Sequence, residues 1–69
     1  MNSEQYKLFT YVRRLQILQI FESQKRATML ELSNLFGVST ITIRKDLKWL
    51  GGVKPLIRTH GGAVLKGNY

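Results

Sequence analysis

Gly37 and Ser39 stand two residues apart, each in a setting that belongs to the end of a helix, and this pairing narrows the open folds more than anything else in the chain. Upstream, Thr28-Met29-Leu30-Glu31 fits the capping-box pattern, in which a hydroxyl and a carboxylate satisfy the amides of a helix start. Met29, Leu32, Leu35 and Phe36 then recur at helical spacing, so a helix is expected over about 29–36, with Gly37 as its left-handed cap. Downstream, Ser39 is a natural N-cap for a helix over about 40–50. Ile43, Leu47 and Leu50, at i, i+4 and i+7, define its inward face, and Val38 can pack beneath them. Two helices joined this tightly make a helix-turn-helix.

The flanking segments complete a single domain over residues 1–69. A first helix is expected over about 4–23, capped by Ser3, with Ile17, Leu18, Ile20 and Phe21 on one side. Leu8, Tyr11, Val12 and Leu15 cluster nearly opposite, which gives this helix two apolar faces. Gln24-Lys25-Arg26 reads as a polar break. After the third helix, Gly51-Gly52 ends the helical run, Pro55 to His60 reads as a strand, Gly61-Gly62 as a hairpin turn, and Ala63 to Lys66 as the returning strand. A two-stranded hairpin is marginal alone, so this wing, about 55–66, must lie against the helices, leaving Gly67-Asn68-Tyr69 as a loose tail. The fold class expected is mainly α with a small β-hairpin: a winged helix-turn-helix of three helices and a two-stranded wing.

Charge indicates the partner. Eleven Lys and Arg face four Asp and Glu, a net charge of +7 on 69 residues. From residue 40 onward the cations are Arg44, Lys45, Lys48, Lys54, Arg58 and Lys66, against the single acid Asp46. A polyanion is the natural counterpart, and double-stranded DNA rewards such clustering by releasing condensed counterions. The absence of cysteine excludes disulfides, thiolate metal ligands and a cysteine nucleophile. One histidine, His60, cannot build a metal site alone. The remaining acids, Glu4, Glu22 and Glu31, fall on different elements and form no catalytic pair. Neither an enzyme, a cofactor nor a metal is therefore expected. No stretch reaches the roughly 20 apolar residues of a membrane span and no signal pattern opens the chain, so a cytoplasmic protein without membrane contact is expected.

Rotation by 100° per residue places Ile41, Lys45 and Lys48 opposite the core face of the third helix, with Arg44 on one flank and Thr42 and Trp49 on the other. Arg44 offers a bidentate fork for guanine, Ile41 a contact for thymine methyls, and Ser39, Thr40 and Thr42 short hydroxyls at the helix start. On the wing, Arg58 and His60 flank Gly61-Gly62, whose small size would let backbone approach a phosphate or the minor groove. Trp49 could stack on a base, but covering the wing suits it better, and Asp46 is expected to orient Arg44 or a neighbouring cation. The second face of the first helix, Leu8, Tyr11, Val12 and Leu15, is expected either to form a homodimer contact or to pack under the chain's own tail or wing.

Residues 13 to 65 resemble the N-terminal domain of DeoR-type bacterial transcription regulators. The resemblance rests on Glu31-Leu32 to Leu35-Phe36-Gly37-Val38-Ser39, on Thr42-Ile43-Arg44-Lys45-Asp46-Leu47, and on Arg58-Thr59-His60-Gly61-Gly62-Ala63 after a fixed gap. It implies a winged helix-turn-helix whose third helix enters the major groove, usually to repress sugar or nucleoside operons. This chain departs from the family pattern at Lys25, where a glycine is usual, at Gly51-Gly52, where acids are usual, and at Lys54-Pro55, where a glycine and an apolar residue are usual. Such regulators carry a larger C-terminal effector-sensing domain, so no small-molecule effector site is expected on this chain. The function expected is sequence-specific binding of double-stranded DNA by a repressor. The competing expectation is a winged-helix protein interaction module with non-specific affinity for nucleic acid.

Overall fold

The computed structural model describes residues 3–66, with side chains from Lys7 onward. The side chain of Ser3, the expected cap, and the tail at 67–69 lie outside what is described. Six elements follow in order: α1 (Ser3–Gln24), β1 (Arg26–Thr28), α2 (Met29–Phe36), α3 (Thr40–Gly51), β2 (Leu56–Thr59) and β3 (Gly62–Leu65). The three helices and the β2–β3 hairpin stand within a residue or two of their expected bounds. One core joins them, built from Ile17 and Phe21 of α1, Leu32 of α2, Ile43, Leu47 and Leu50 of α3, and Ala27 and Ala63 of the sheet.

The caps form as their residue types dictate. Thr28 Oγ1 accepts from the Glu31 amide at 3.0 Å and donates to the Glu31 carboxylate at 3.0 Å. The carboxylate thus meets the capping hydroxyl itself. Gly37, at φ 66°, donates its N–H to the Ser33 carbonyl and turns the chain out of α2, and Ser39 Oγ accepts from the Thr42 amide at 3.2 Å to open α3. Between them Ser33 Oγ donates to the Val38 carbonyl, which ties the turn to α2.

The polar break expected at 24–26 is instead the approach to a third strand. Residues 26–28 pair antiparallel with β3, giving a three-stranded sheet in the order β1-β3-β2. Ala27 faces the core while Arg26 and Thr28 face outward, the alternation that a half-buried strand requires. Lys25 makes the reversal between α1 and β1 at φ 73°, the left-handed conformation that glycine adopts at no steric cost. Its N–H donates to the Phe21 carbonyl at 2.8 Å, its ammonium to the Glu22 carbonyl at 3.1 Å, and its carbonyl accepts from the Leu65 amide at 2.6 Å.

The wing turn is also shifted by one residue. Thr59 pairs with Gly62, so the two-residue loop is His60-Gly61, with Gly61 at φ 84°, the left-handed region glycine enters without steric cost. Gly62 belongs to β3 and is buried under β1. A Cβ there would run into the Ala27 carbonyl oxygen and lie 2.8 Å from Thr28 Cα. The Gly61 carbonyl in turn accepts from the Met29 amide at 2.9 Å, which satisfies an orphan donor at the start of α2. The wing is thereby fastened to the helices at β1 and at the head of α2.

Candidate nucleic-acid interface

α3 owes its position to four inward residues, and one of them is charged. Ile43, Leu47, Leu50 and Asp46 are all at most 1% exposed. Asp46 faces α1, where Arg13 reaches it with Nε at 2.5 Å and Nη2 at 2.9 Å, and Arg14 with Nε at 2.9 Å. A buried carboxylate left unpaired would be costly, and this one is held by three charge-assisted hydrogen bonds. The expectation that Asp46 orients Arg44 therefore needs correction: its partners are the two arginines of α1.

Turning the one acid of α3 inward leaves the opposite face purely cationic. Arg44, Lys45 and Lys48 are exposed, and no hydrogen bond or ion pair engages them among the described residues. Ile41 lies among them with 62% of its surface exposed, and Thr40 is exposed at the helix start. Ser39 and Thr42 are committed to the cap, their hydroxyl oxygens 3.2 Å apart.

The expected wing residues separate into two groups. His60 and Gly61 form the exposed tip. Arg58 is exposed but folded back, with Nε donating to the Gly62 carbonyl at 3.4 Å and Nη2 lying 3.7 Å from Met29 Sδ. Gly62 is interior, so its small size serves the passage of β1 rather than an approach from solvent.

Trp49 does not cover the wing. Its ring lies under the Arg14 guanidinium, 5.2 Å from centroid to Cζ, against α1. The second face of α1 stays open, with Leu8 58%, Tyr11 53%, Val12 40% and Leu15 40% exposed. No described part of the wing covers it. Reading the sequence alone misses Arg13 and Arg14. The available signal was their spacing before Ile17 and Phe21, which puts both beside the core stripe of α1.

A short helix, a tight turn and a second helix with an exposed cationic face, backed by a hairpin, define a winged helix-turn-helix. The family model of the DeoR-like helix-turn-helix domain matches residues 13–68. The chain belongs to this family. It is 43% identical over 56 residues to a candidate transcriptional repressor of the aga operon from Escherichia coli O157:H7, covering 81% of this chain and 21% of that protein. It is 46% identical over 48 residues to the L-fucose operon activator of Haemophilus influenzae, covering 70% and 19%. With the HTH-type transcriptional regulator GolR of Listeria innocua the identity is 36% over 58 residues, covering 84% and 23%. The chain thus spans about a fifth of the length of these curated relatives. No solved structure matches it. Among the described residues no helix is long and apolar enough to cross a membrane.

Proposed function

We propose that the chain reads a specific double-stranded DNA sequence by laying α3 in the major groove, with the wing tip on the backbone or in the minor groove, and that it does so as part of a non-catalytic cytoplasmic repressor. The observation that carries this reading is the segregation of charge on α3: Arg44, Lys45 and Lys48 face solvent with no ion pair among the described residues, while Asp46 is buried and neutralised from behind. Phosphate contacts set register and base-edge contacts set sequence. Arg44 is the candidate for guanine, Ile41 for a thymine methyl, Thr40 for a base or phosphate at the helix start, and Lys45 and Lys48 for phosphates. Ser39 and Thr42 contribute by holding the start of α3 in place. His60 and Gly61 are the wing contacts, with Arg58 able to join them by unfolding from the hairpin. Repression follows the aga operon relative, although the L-fucose relative is named an activator.

The open face of α1 supports a homodimer through Leu8, Tyr11, Val12 and Leu15, since symmetric DNA sites favour two-fold partners. Charge reversal tests the main reading. Lys45→Glu with Lys48→Glu should abolish duplex binding while leaving the helical content unchanged, because both side chains are exposed. Duplex affinity that survives both reversals would transfer the function to a protein partner.

A further inference from the structure

Between α1 and the C-terminal half of α3 lies an open cleft of about 400 Å³, lined by Lys7, Thr10, Tyr11, Arg14 and Trp49. Every one of these side chains carries a hydrogen-bond donor: an ammonium, two hydroxyls, a guanidinium and an indole N–H. Among the described residues no carboxylate lines it. The acid behind it, Asp46, is fully buried and already accepts from Arg14 Nε. Arg14 is therefore held at two points, by that hydrogen bond and by the Trp49 ring, while among the described residues its two terminal nitrogens make no hydrogen bond. A guanidinium fixed at its base, with its outer nitrogens unused, is arranged to receive the paired oxygens of a phosphate at little further entropic cost. Lys7, one helical turn before Tyr11 and two before Arg14, adds a second cation to the same side of α1.

The cleft also borders the cationic face of α3. Trp49 follows Lys45 by four residues, which sets it roughly 40° further round the helix, between that face and α1. A helix occupying a major groove about 12 Å wide has a sugar-phosphate strand along each flank. We infer that this cleft seats a backbone phosphate of the DNA strand bordering the groove that α3 enters, so that α1 contributes to DNA binding along with α3 and the wing. This assignment rests on the reading of α3 as the groove-binding helix.

Lys7→Gln is the direct test, because Lys7 is exposed and takes no part in the core. Affinity for the preferred duplex and for an unrelated duplex is measured across a salt series. Seating of one phosphate predicts that log K against log salt becomes shallower by about 0.9, and that both duplexes lose affinity by a similar factor. Lys7→Arg should restore the slope. In the native chain, a single neutral methylphosphonate linkage at one flanking position should reproduce the loss, and Lys7→Gln should add nothing further to it. Unchanged slope and affinity in Lys7→Gln, with Lys45→Glu and Lys48→Glu still abolishing binding, would overturn the cleft as a phosphate seat while leaving the reading of α3 intact. Duplex binding that survives those two reversals would remove the reading of α3 and the cleft assignment with it.

Discussion

Asp46→Asn should weaken the domain more than its single-atom change implies. The asparagine keeps one acceptor oxygen for Arg13 Nη2 and Arg14 Nε, each now 2.9 Å from Oδ1. Its amide nitrogen would replace Oδ2, which stands 2.5 Å from Arg13 Nε, so a donor would face a donor. One charge-assisted bond worth about 1.5–3 kcal/mol disappears and two others fall toward the ~1 kcal/mol of a neutral bond. That sums to about 2.5–7 kcal/mol. The arginines are 15% and 22% exposed and can turn partly into water, which lowers the expected loss to about 2–3 kcal/mol. A chain of 69 residues has on the order of 3–10 kcal/mol of stability in total, so a large share is at risk. Urea unfolding followed by far-ultraviolet circular dichroism measures it directly. With a slope near 1 kcal/mol/M for so small a protein, the midpoint should fall by about 2–3 M. A loss below about 0.5 kcal/mol would refute the claim that the α1–α3 contact depends on this charge cluster.

Other consequences follow from the same packing. Lys25→Gly removes a side chain from a left-handed backbone at φ 73°, which outweighs the extra flexibility of glycine and the lost ammonium contact to Glu22. The thermal midpoint should rise, by about 0.5–1 kcal/mol of stability, and a fall would show that the Lys25 contact matters more than the strain. Gly62→Ala forces a methyl against the backbone of β1 and should cost about 2–3 kcal/mol, whereas Gly51→Ala, with nothing within 4 Å, should stabilise α3 by up to about 1 kcal/mol; equal melting of the two variants would refute the close approach. Leu15→Glu should leave folding intact and abolish concentration-dependent association in sedimentation, while a native chain that stays monomeric at high micromolar concentration would dispose of the α1 dimer.

The helices were legible because their signals are local. Thr28, Gly37 and Ser39 each act on amides or carbonyls within a few residues, so residue type and position suffice to place the ends of α2 and the start of α3. The strand at 26–28 was not legible, because three residues are too few for alternation to register, and what makes them a strand is β3, more than thirty residues away. The same distance hides the Arg13–Asp46–Arg14 cluster, which spans 33 and 32 residues. At the candidate interface the pattern of α3 gave the outward residues correctly, since 100° per residue is fixed by the helix. The roles of Asp46, Trp49 and Gly62 depended on which neighbour each one meets, and helical periodicity carries no information about that.

The central claim, that this domain reads sequence through α3, is tested most directly by selecting random duplex DNA on the purified chain at physiological salt and then titrating salt on the enriched sequence. Enrichment of one defined motif, bound more tightly than unrelated duplex and losing selectivity at a single position when Arg44 becomes alanine, is the predicted result. Retention of all duplexes alike, with affinity collapsing as salt rises, would contradict it and reduce the exposed face of α3 to a patch of charge.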